Sequence, residues 1–109
     1  MKLAILPACS SSTRGVFGGG ESPGTLYNTL DYITIATTAN STSFGSMNTQ
    51  KDDHMATSNS TRAVWIGGKN RYGYALADIF YNTIATTGNA ASFGSLYYTT
   101  RSARATSGD

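Results

Sequence analysis

The chain has 109 residues and a mass of 11.5 kDa, with 39% apolar and 13% charged residues, 12 glycines and a single cysteine. That length admits one small domain; a net charge of +2 is too slight for a dedicated nucleic-acid surface, and one cysteine cannot close an intramolecular disulfide and argues against a thiolate metal site. Seven Tyr, four Phe and one Trp argue for a packed structure rather than disorder, but the many small polar residues leave a thin core that neighbouring subunits would have to complete.

The first nine residues, Met1-Lys2-Leu3-Ala4-Ile5-Leu6-Pro7-Ala8-Cys9, look like a lipoprotein signal. Their apolar run is too short for the apolar region of such a signal, so residues 3–10 are read as a β-strand. No stretch approaches the roughly 18 apolar residues of a membrane-spanning helix. Further strands are expected at residues 14–17, 32–36, 44–47 and 56–58, and again at 62–66, 79–85, 93–98 and 105–107, where β-branched and aromatic residues cluster. Di-glycines follow two of them, Gly19-Gly20 and Gly67-Gly68, and these suit close strand approach better than phosphate binding, because no Lys-Ser/Thr and no helix follows. Residues 21–25 and 69–74 read as loops, and Gly88-Asn89 as a tight turn. No segment has the period of an amphipathic helix.

The strand pattern is a repeat. Residues 34–46 match residues 83–95 at ten of thirteen positions with an offset of 49, and residues 12–20 resemble 60–68 with an offset of 48. A third element, Ala8-Cys9-Ser10, Ala56-Thr57-Ser58 and Ala105-Thr106-Ser107, recurs once more than the rest. Such a period suits four-stranded propeller blades rather than helical solenoids. The expected fold is therefore all-β, with two four-stranded antiparallel propeller blades per chain: residues 13–60, residues 61–109, and an extra N-terminal strand in 1–12.

Di-glycine after a hydrophobic strand, then Tyr32 or Tyr81, a further aromatic at Phe44 or Phe93, and a closing strand together resemble kelch-type propeller repeats, which carry Trp where this chain has Phe44 and Phe93. The wording Thr-Arg-Gly-Val-Phe-Gly-Gly-Gly, Asp-Tyr-Ile-Thr-Ile-Ala-Thr-Thr and Ser-Phe-Gly-Ser is also similar to tandem repeats of marine phage tail-fibre or other virion-associated proteins and related metagenomic sequences. The resemblance implies a non-enzymatic structural or receptor-binding and glycan-binding element, in a virion or outside the cell, with no cofactor. The alternatives are a free-standing lectin-like propeller, a fragment of a longer array, and a metal-dependent enzyme.

Two blades cannot close a ring, since propellers have about four to eight. Head-to-tail self-association is expected, with a six-bladed homotrimer favoured over four-bladed and eight-bladed rings. The surplus strand would then complete a neighbouring subunit's blade, in competition with or in place of residues 104–107, or be a surplus copy from a longer array.

Residues present in both repeats are expected to build the unit, as with Arg14 and Arg62, read as cross-blade hydrogen-bonding groups rather than an anion-holding ring. Residues present once are the functional candidates. Asp52, Asp53 and His54 offer two carboxylates and an imidazole for a divalent cation, but a solvated charged turn is the simpler reading. The loop carrying Lys69, Asn70, Arg71, Tyr72 and Tyr74 mixes cations, an amide and aromatic rings suited to stacking on sugars, against the simpler reading of a soluble loop. Cys9 reads as a small buried residue, and no serine has an evident base partner. No nucleic-acid or membrane partner is expected.

Overall fold

The structure is a computed structural model that describes residues 7–22 and 24–100. Every regular element among them is a strand: β1 (Ala8–Ser10), β2 (Arg14–Gly18), a minor hairpin of β3 (Glu21–Ser22) and β4 (Thr25–Leu26), β5 (Thr29–Thr34), β6 (Thr42–Ser46), β7 (Met55–Ser58), β8 (Arg62–Ile66), β9 (Leu76–Thr83) and β10 (Ala91–Thr100). They form two four-stranded antiparallel sheets, β1-β2-β5-β6 and β7-β8-β9-β10, neither of which closes. No helix of the described residues is long and apolar enough to cross a membrane.

The two sheets use the same local chemistry. In the turn from β1 to β2, Ser11 Oγ accepts hydrogen bonds from the Thr13 and Arg14 amides; from β7 to β8, Asn59 Oδ1 accepts from the Thr61 and Arg62 amides. Short polar side chains that bond the backbone two and three residues ahead favour a tight turn. After the third strand the chain turns again with Thr37 N donating to Thr34 O, and Thr86 N to Thr83 O. In the fourth strands a register shift leaves Phe44 and Phe93 outside the ladder, a bulge that re-aims a side chain. The following Gly45 and Gly94 adopt φ of 149° and 156°.

The Ala-Thr-Ser segment was expected to close the first unit as its fourth strand. It instead opens the second sheet: Thr57 pairs with Val64, as Cys9 pairs with Val16 in the first. Tight turns at Ser11 and Asn59 make these pairings local, whereas a link back to β6 would have to span the connection through residues 47–54. The sheets therefore begin one strand earlier than the units 13–60 and 61–109. Residues 105–107, and 1–6 of the N-terminal segment, lie outside the described residues. The third strands also start earlier than expected, at Thr29 and Leu76, because Leu30 extends the ladder to Gly18, and Asp78 and Leu76 pair with Ser95 and Thr100 of the fourth strand.

The sheets stack face to face. Val16, Leu30 and Phe44 of the first and Ala63, Trp65, Phe80 and Ile84 of the second are buried in one cluster. Trp65 donates its indole N–H to Asn82 Oδ1 at 2.9 Å, and Asn82 passes an amide hydrogen to Gly88 O at 3.0 Å, so these two buried side chains are satisfied. At the first strands the repeats touch like to like, with Cys9 Sγ donating to Thr57 O at 3.2 Å and Ser10 bonded to Ser58 Oγ in both directions. Arg14 lies over the Tyr32 ring and donates to Ile84 O across the layer at 2.9 Å, the cross-sheet role expected of it.

Candidate functional site

Two regions hold the chemistry that only one repeat carries. The first is the connection between the sheets. Met47 anchors it in the core, and Gly20 N donates to Lys51 O. A Cβ on Gly19 would lie 2.8 Å from Lys51 O, and one on Gly68 would lie 2.8 Å from Asp52 O. Both glycines also have positive φ, 69° and 98°. The di-glycines thus admit backbone to backbone contact, and the connection threads between them.

This passage buries Lys51, Asp52 and His54 almost completely, which corrects the expectation of a solvated charged turn. Two backbone hydrogen bonds hold the connection there, Asp52 N to Lys69 O and Lys69 N to Asp52 O. Asp53 takes φ of 56°, a left-handed conformation that aspartate tolerates better than most residues. Asp52 Oδ1 lies 3.6 Å from Lys69 Nζ. Burial pushes the Asp52 carboxyl above its ordinary range, with Lys69 pulling it back and Asp53 and Glu21 adding to the rise. Burial also lowers Lys51, opposed by Asp78, and sets its ammonium 5.0 Å from the Phe80 ring centre. His54 packs against Trp65, and burial, reinforced by the Lys51 cation, pushes it down to about 4, so its imidazole is neutral at pH 7. Asp52 turns to Lys69 while His54 turns to Trp65, and among the described residues no three His, Cys, Asp or Glu side chains converge as a metal-binding group. The cluster joins the sheets.

The second region is the hairpin after β8. Asn70 builds it: its Oδ1 accepts from the Tyr72 and Tyr74 amides, and its carbonyl from Gly73 N. Lys69 is likewise engaged with Asp52, so two of the five residues singled out are structural. The other three stand out at the tip. Tyr72 and Tyr74 are about two-thirds exposed, and the Arg71 guanidinium lies 4.9 Å from the Tyr72 ring centre and donates to its hydroxyl.

Sequence reasoning missed Tyr97 and Tyr98, which were expected only as strand residues. Ser95 pairs with Asp78 but Thr100 with Leu76, so residues 96–99 bulge out of the ladder. Both rings are exposed and pack edge to face with centroids 4.6 Å apart. Thr100 and Leu76 both hydrogen-bond to Gly68, which places this bulge at the same end of the sheet as the hairpin. The signal available was the repeat itself, since positions 97 and 98 correspond to Asn48 and Thr49.

No protein-family model and no curated protein matches this chain.

Proposed function

We propose that each sheet is a propeller blade, that three chains associate head to tail into a six-bladed ring, and that the ring is a non-enzymatic module presenting aromatic loops to a glycan or other cell-surface receptor. The observation that carries the reading is the like-to-like contact of β1 and β7 beside face-to-face packing of their sheets, the relation of inner strands around an axis. Two sheets per chain make rings of even blade number. The resemblance of the repeats to those of phage tail-fibre and virion-associated proteins supports a place in a virion or another extracellular assembly.

Binding would fall to Arg71, Tyr72 and Tyr74, joined by Tyr97 and Tyr98. Exposed aromatic rings with a guanidinium offer stacking faces and donors to a sugar, and repetition around a ring multiplies a weak contact on a repetitive surface. A glycan array compares the wild-type chain with the double variant Tyr72→Ala/Tyr74→Ala. Retained glycans are expected to lose at least about tenfold in affinity, in line with loss of one or two stacked rings; equal binding by both proteins removes the hairpin from the site.

A further inference from the structure

Part of the contact between the two sheets is built from residues that recur, whose counterparts on the outer faces are bare; Phe80 and Asn82 are exceptions, with Asp31 and Ile33 at the matching positions. Phe44 is 2% exposed but its counterpart Phe93 is 54% exposed; Ile84 is 1% exposed but its counterpart Ile35 is 56% exposed. Both phenylalanines keep the same edge-to-face contact with a tyrosine, Tyr32 or Tyr81, so the difference lies in what covers them. Phe44 is covered by residues 88–90, which follow the turn closed by Thr86 N and Thr83 O, so that Gly88-Asn89 is a packing segment rather than the tight turn expected of it. There Gly88 N donates to Phe44 O, Ala90 N donates to Ser46 O, and Ser46 N donates to Asn89 Oδ1. A Cβ on Gly45 would collide with the Gly88 carbonyl, while one on Gly94 would meet nothing within 4 Å.

The same contrast runs along β2 and β8. Val16 is fully buried against the second sheet, and Trp65, fully buried, lies against Gly18. Their counterparts Val64 and Phe17 are half-buried. Arg62 lies 4.2 Å over Tyr81, as Arg14 does over Tyr32, and it is exposed where Arg14 is half-buried.

We infer that a second copy of this chain docks its residues 35–41 on the outer face of the second sheet, around Phe93, repeating between chains the contact made within one. This rests on the ring proposed above and names its interface. The occupant is a second copy because the outer faces carry the counterparts of Val16, Phe44, Arg14 and Ile84 from a contact already present in the molecule, with Phe17 and exposed Asp31 standing where that contact has Trp65 and Phe80. Ile35 and Phe17 take the places of Ile84 and Trp65, and Val64, Phe93 and Arg62 take those of Val16, Phe44 and Arg14. Asn40 Oδ1 then accepts from Ser95 N, and Arg62 reaches Ile35 O, as Asn89 and Arg14 do inside the chain. Such a contact is heterologous, joining two different patches, and it closes into a ring when the rotation from sheet to sheet completes a full turn.

The test is the full chain studied by sedimentation, with Phe93→Asp and Ile35→Asp as separate variants. Both side chains are exposed within one chain, so circular dichroism should show both variants folded. Each is expected to raise the dissociation constant of assembly by at least about tenfold, since burying a carboxylate opposite an apolar patch is costly. Disulfide trapping checks orientation: Asn40→Cys and Ser95→Cys chains mixed in equal amounts should form a linked heterodimer, while neither does so alone. Burial pushes the native Cys9 thiol up to about 11, which keeps it out of the exchange. Assembly unaltered in both variants, or linking by either cysteine chain alone, overturns this interface while leaving the ring standing. A wild-type chain that never assembles overturns both.

Discussion

Phe44 and Phe93 occupy the same place in two copies of one unit, after the same bulge and against the same kind of tyrosine, yet one is core and the other surface. Local sequence determined their conformation, and the neighbouring sheet determined their burial. A repeat protein shares its core among interfaces between units, so identical residues differ in energetic weight according to whether an adjacent unit is present.

Substitution makes the comparison quantitative. With chains dilute enough to be monomeric, Phe44→Ala is expected to cost about 3–5 kcal/mol, the range for a buried phenylalanine, and Phe93→Ala at most about 1 kcal/mol. Urea unfolding followed by tryptophan fluorescence measures both. Equal losses would mean that the two sheets are not stabilised by the face between them.

The junction that makes one face different gives the next effect. His54 stays neutral in the folded chain down to about pH 4, whereas in the unfolded chain it takes a proton near 6.5. Protons therefore favour unfolding, and stability should fall as the pH drops from about 6.5 to about 4 and then level, a loss of up to about 3 kcal/mol. Asp52, raised by burial, opposes this at the acid end because its folded form binds a proton more readily than its unfolded form. In a series of urea midpoints against pH, His54→Gln should flatten the slope; an unchanged slope would assign the acid sensitivity elsewhere.

Smallest is the glycine pair. Both Gly45 and Gly94 have φ that disfavours a side chain, but only Gly45 faces the Gly88 carbonyl. Gly45→Ala should therefore cost about 1–3 kcal/mol more than Gly94→Ala in the monomeric chain, the usual penalty of overpacking. Thermal unfolding of the two variants compares them, and equal losses would leave backbone conformation as the whole effect.

Much of this architecture was legible because strands and turns are local. The strand Arg62–Ile66 stands where its β-branched and aromatic run ended by di-glycine put it, and the repeat announced two matching sheets. Assignment of the Ala-Thr-Ser segment was not legible, because either neighbour offers a partner and only the turn at Asn59 decides between them. Nor was burial of Lys51, Asp52 and His54, since charged residues in a connection are ordinarily solvated; their enclosure comes from di-glycines far along the chain. In the candidate binding region, exposure of Arg71, Tyr72 and Tyr74 followed from a polar loop that occurs once. The structural duty of Asn70 and Lys69 depended on hydrogen bonds visible only in three dimensions.

The central claim is that the outer faces are halves of an interface between chains. Light scattering on the wild-type chain after size exclusion measures it directly. A mass near three times 11.5 kDa is predicted, and a mass that stays at that of one chain across the accessible concentration range would contradict it.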